Sequence, residues 1–111
     1  MKIVTAADVE ADKRSDIIIK TLFGENVDKD AKVTFGTVVI PPGTRVPAEG
    51  AGAHDGDEYS LILKGSLLSV SGGKEYRLSG GQAAFIPAGE EHWSINDGNE
   101  DCEIVWAIIK R

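Results

Sequence analysis

The chain has 111 residues, 18 acidic against 12 basic side chains, and a formal net charge of −6. That length holds one domain with a core of its own, and the acidic balance argues against nucleic acid or an anionic membrane as the main partner. A single cysteine, Cys102, excludes an internal disulfide, and the opening MKIVTAADVEADKRSD has no long apolar run; the expectation is a cytoplasmic protein without signal peptide or membrane span.

Thr5-Ala6-Ala7-Asp8 offers the one helix-start signal, a short turn within an N-terminal arm over residues 1–16. From there to residue 109 the chain reads as strands separated by glycine, proline and asparagine. Ile17–Phe23 is rich in β-branched residues and stops at Gly24. Val33–Ile40 is apolar on both parities and stops at Pro41-Pro42-Gly43. Tyr59–Lys64 stops at Gly65, and Ser66–Val70 turns back through Ser71-Gly72-Gly73, a hairpin signal. Tyr76–Leu78 meets Gly80-Gly81, Ala83–Ile86 meets Pro87-Ala88-Gly89, and His92–Ile95 meets Asn96-Asp97-Gly98. The final strand, Cys102–Ile109, is again apolar on both parities. This beat predicts an all-β sandwich or barrel. Strands apolar on both faces need cover on both faces, so the outer face predicts a homodimer.

Two histidines occur, His54 and His92, each just after a turn signal and beside carboxylates. On one straight strand His54 and Glu58 would share a face but stand about 13 Å apart, too far for one metal ion. Asp55-Gly56 between them is a turn signal; a reversal there would let His54 end one strand, Glu58 begin the next, and their side chains converge, with His92 arriving from a third. Two imidazoles and one carboxylate with open positions suit non-haem Fe(II), zinc or manganese. A packed or solvent-facing role is the competing reading of each histidine, as is a surface carboxylate for Glu58.

At these residues the sequence resembles the cupins, a family of small double-stranded β-helix, or jelly-roll, barrels. Gly81-QAAFI-Pro87-A-Gly89-EE-His92-WSI-Asn96 satisfies every position of the second cupin motif, and His54-DGD-Glu58-YSLILK-Gly65 satisfies the right half of the first. The left half departs. Counting back from Glu58 sets Gly52 at the first histidine; counting forward from Gly43 sets Glu49 there and Ala51 at the second. The segment reads as a motif carrying three extra residues between Glu49 and His54. The resemblance implies a divalent metal on His54, Glu58 and His92, with Glu49 as a fourth candidate ligand; iron, manganese, zinc and nickel are not distinguished, and a metal-free site is the alternative.

Strand parity from Glu58 points Ser60 and Ile62 into the cavity, and parity from His92 points Ser94 and Asn96 inward. Arg45 and Trp106 are further pocket candidates, with a surface charge and core packing as the competing readings. Glu90 and Glu91 read as a solvated turn, and Cys102 as a small strand residue with nothing beside it to activate the thiol. Gly50-Ala51-Gly52 does not have phosphate-loop spacing, nor Asp55-x-Asp57 that of a calcium loop. Two functions follow: a metal-dependent cupin acting on a small polar organic molecule, or a metal-free sensor. The second is suggested by similarity of the His54–Trp106 run to effector-sensing cupin domains of helix-turn-helix regulators.

Overall fold

The computed structural model describes residues 1–14 and 16–111; Ser15, in the expected arm, lies outside them. A 3-10 turn, Ala6–Asp8, follows Thr5, whose side chain makes no capping hydrogen bond. Ten strands follow among the described residues: β1 Asp12–Arg14, β2 Ile17–Phe23, β3 Val33–Ile40, β4 Arg45–Val46, β5 Gly56–Lys64, β6 Ser66–Ser71, β7 Lys74–Ser79, β8 Ala83–Ile86, β9 His92–Ile95 and β10 Cys102–Lys110. They form two antiparallel sheets, ordered β1-β2-β3-β10-β5-β8 and β4-β9-β6-β7. This is the jelly-roll arrangement.

The central strands explain the apolar residues on both parities. In β10, Cys102, Ile104, Trp106 and Ile108 share the inner parity and stand opposite Ile40, Val38, Gly36 and Thr34 of β3. Ile17, Ile40, Ile62, Leu67, Cys102 and Ile104 are buried together, with Ile19, Val38, Val46 and Leu78 packed against them. The alternate parity faces outward, where Tyr59, Leu61, Leu63 and Phe85 are exposed and the Tyr59 and Phe85 rings lie 5.1 Å apart. Gly36 is required by close approach: a Cβ there would overlap the Lys20 carbonyl oxygen and stand 2.7 Å from the Trp106 ring.

Two residues depart from the expectation drawn for them. Gly56 does not reverse the chain; it is the first residue of β5, opposite Lys110, and a Cβ on it would overlap the Ile109 carbonyl oxygen. The glycine is there because β10 passes against its Cα. At Asn96, the side chain turns away from the cavity. Its amide nitrogen donates to the Ile40 and Glu100 carbonyls at 2.7 and 2.8 Å, and its oxygen accepts from the Gly98 N–H at 3.0 Å. It is fully buried and ties the end of β3 to the β9–β10 turn.

Candidate metal centre

Three separate elements bring His54, Glu58 and His92 together. Glu58 is the third residue of β5, level with Ile86 and Ile108 of its neighbours and on the inner parity. His92 opens β9 on the facing sheet. His54 lies in the connection between β4 and β5, not at a strand end. The backbone positions it: its carbonyl accepts from the Gly89 N–H at 2.8 Å, and two residues earlier Gly52 forms an isolated antiparallel bridge with His92. The expected strand-turn-strand is therefore replaced by a connection pinned across the cavity mouth that enters β5 directly.

The side chains converge. His54 Nε2 is 3.1 Å from Glu58 Oε1, the two imidazole rings are 5.2 Å apart, and one donor atom from each of the three residues lies within 4.8 Å of the others. The hydrogen bond to Glu58 raises the His54 pKa above 6.5 against the opposing effect of burial, helped by the Glu58 and Asp55 charges. His92 is oriented through its other ring nitrogen, Nδ1, 3.0 Å from the Glu90 carbonyl oxygen. A carbonyl only accepts, so Nδ1 carries the proton and the Nε2 lone pair is left free for a Lewis acid.

A cavity of about 880 Å³ opens behind this group. Arg45, Ser60, Ile62, Ser94 and Trp106 line it, as do His54, Glu58 and His92; Asn96 does not, for the reason given above. Glu49 is exposed and takes no part in either the cavity wall or the three-residue group. Glu90 departs from the solvated turn expected of it: it lines the cavity and accepts a hydrogen bond from Ser71 Oγ at 2.6 Å, while Glu91 is exposed. Ser69 was also missed; its hydroxyl is 2.6 Å from that of Ser94. The signal for Ser69 and Ser71 was their shared parity in SLLSVS, the strand opposite His92 and Ser94. Cys102 is fully buried, and desolvation pushes its thiol up to about 11.

Residues 36–108 match the family model described as the cupin domain. The chain belongs to the cupin family. A crystal structure of a predicted oxalate decarboxylase from Thermotoga maritima superposes on this cupin with a TM-score of 0.85 at 25% identity, over 99% of this chain and 100% of the other. The polyketide cyclase RemF from Streptomyces resistomycificus superposes with a TM-score of 0.81 at 21% identity, over 100% and 80% of the two chains; at that identity it shows the fold alone. A curated relative, the endoribonuclease YbeY of Myxococcus xanthus (strain DK1622), is 27% identical over 90 residues, 81% of this chain but 29% of that protein. This cupin thus spans less than a third of that relative's length. Among the described residues no helix is long and apolar enough to cross a membrane.

Two imidazole nitrogens and a carboxylate oxygen make a donor set that suits a divalent first-row metal. With bonds of about 2.0–2.2 Å, such ligands stand roughly 3–4 Å apart around one ion, so donor atoms within 4.8 Å of one another need only small side-chain adjustments to meet it.

Proposed function

We propose that this cupin binds a divalent metal through His54, Glu58 and His92 and acts there on a small organic molecule held in the barrel cavity. The observation that carries this reading is the three-residue group itself, with His92 held in the tautomer that leaves Nε2 free. When bound, the metal supplies a Lewis acid that polarises an oxygen-bearing group. The protein's own residues do the rest: the hydrogen-bonded Glu90 and Ser71 lie on the cavity wall with the three ligands, and apolar side chains line most of the remainder. Three protein ligands leave coordination positions open to the substrate. The neighbours' printed activities differ from one another, so the class of reaction is not carried over from them.

The same reading retains the homodimer and the cytoplasmic setting. The occupant proposed for the outer face of the six-stranded sheet is a second copy of this chain, supported by exposed Tyr59, Leu61, Leu63 and Phe85 on adjacent strands. Sedimentation at high protein concentration checks it; a monomer there removes the dimer and leaves the metal reading intact.

One observation favours the second reading, a sensor without metal: His54 and Glu58 already satisfy one another at 3.1 Å. Calorimetric titration of chelator-treated protein with Mn(II) and Zn(II) separates the two. Saturable binding at one ion per chain that His92→Ala abolishes supports the metal reading; an intact fold that binds neither ion supports the sensor.

A further inference from the structure

The cavity is graded in polarity from mouth to floor. At the mouth stand His54, Glu58, His92 and the Ser71–Glu90 pair. One step deeper along β6 and β9, about 7 Å away at the rise of a strand, Ser69 and Ser94 face one another as register partners, their hydroxyls 2.6 Å apart. Ser60 and Trp106 occupy the matching level of the other sheet. Beyond them the lining is aliphatic: Ile62, Ile104, Val38, Ile40 and Leu67.

Charge narrows the ligand further. The lining carries the carboxylates of Glu58 and Glu90, and among the described residues Arg45 is the one lysine or arginine on it. That guanidinium is committed to the polypeptide: it donates to the Pro47 and Gly50 carbonyls at 2.9 and 2.8 Å and lies 4.3 Å over the Trp93 ring. In the metal-free protein, among the described residues, no lysine or arginine on the lining is left free to neutralise a carboxylate or phosphate, and burying an unpaired anion beside aliphatic walls is costly. A volume of about 880 Å³ lies in the upper range of sites for drug-sized ligands, far more than a two-carbon acid fills.

We infer that the molecule this cavity accepts is uncharged and amphiphilic: a ring-sized apolar body that sits on the aliphatic floor, with oxygen at the mouth end and a hydroxyl or carbonyl within reach of Ser69 and Ser94. The two serine hydroxyls share one hydrogen bond, which leaves one O–H and spare lone pairs for the ligand. The inference is made for the metal-free cavity, and rests on the proposed metal site only for which end carries the oxygen that faces His54, Glu58 and His92.

The test uses the full chain without metal, carrying Trp93→Phe so that Trp106 is the sole indole and reports on the cavity. The probes are 2-naphthol, 2-naphthoate and naphthalene. The expected result is saturable change of Trp106 emission by 2-naphthol, with affinity at least tenfold above that for 2-naphthoate. Ser94→Ala weakens 2-naphthol several-fold and leaves naphthalene unchanged. Equal or tighter binding of 2-naphthoate, or no response of Trp106 to 2-naphthol in protein that retains its thermal transition, overturns the inference. Zinc titration of the same sample separates this from the metal reading: naphthol binding without zinc binding sinks the metal site alone, and zinc binding without naphthol binding sinks the ligand class alone.

Discussion

Gly52 and His92 are direct partners in an antiparallel bridge, exchanging backbone hydrogen bonds of 3.0 and 2.8 Å. Directly opposed residues in such a pair carry their side chains on the same face. A side chain at position 52 would therefore stand beside the His92 imidazole, and a Cβ there meets nothing within 4 Å. Of the two frames in which the first motif can be counted, the one that sets Gly52 at the first histidine is the one that reaches the site. The extra residues fall upstream of it, near exposed Glu49.

Gly52→His is predicted to add a fourth ligand and to tighten Zn(II) at least tenfold, which corresponds to about 1.4 kcal/mol. Glu49→Ala leaves Zn(II) affinity unchanged. Competition titrations against a chromophoric chelator read both; a Glu49→Ala loss as large as that of His92→Ala contradicts this placement.

The His54–Glu58 pair gives the metal-free protein a pH dependence of defined sign. The His54 pKa is raised above 6.5 by its hydrogen bond to Glu58, so the folded form holds that proton more tightly than the unfolded chain. The resulting stabilisation is present below the unfolded value and lost as pH rises through the folded one. Thermal midpoints of the parent and Glu58→Gln proteins are therefore expected to differ more near pH 6 than near pH 8. The metal-loaded protein moves the opposite way, since protons compete with the ion for histidine.

Asn96→Leu is predicted to destabilise by about 2–4 kcal/mol, from three lost hydrogen bonds and backbone groups left without partners in the interior. Urea unfolding measures it. Metal binding should persist in the folded fraction, because Asn96 does not line the cavity. If metal affinity falls while stability holds, the structural assignment of Asn96 is wrong.

Cys102 is predicted to resist aromatic disulfide reagents at neutral pH until the chain unfolds, since its thiol is fully buried and its pKa is pushed up to about 11. Reaction rates measured with and without denaturant test this. Rapid labelling of the folded protein would show that the end of the barrel opens.

Four strands were legible from end to end: Ile17–Phe23, Val33–Ile40, Ala83–Ile86 and His92–Ile95 begin and end where their glycines, prolines and asparagine stand. β1 and β4 were not, since three and two residues are too few for a period to register. Gly56 misled because a glycine demanded by close approach looks the same in sequence as one demanded by a turn. Glu90 was missed for a related reason: its neighbours Gly89 and Glu91 are exposed, and only Ser71, on the neighbouring strand β6 of the same sheet, shows which way its carboxylate points. For His54, Glu58 and His92, motif spacing named the residues, while their convergence depends on the Gly52–His92 bridge that no local pattern displays.

The most direct test of the metal site is elemental analysis of protein purified without chelator and without an affinity tag that carries metal. The account predicts close to one equivalent of a divalent first-row metal per chain, lost in His92→Ala with the fold retained. A folded parent protein that contains no stoichiometric metal, and takes up none when iron, manganese, zinc or nickel is supplied, would contradict it.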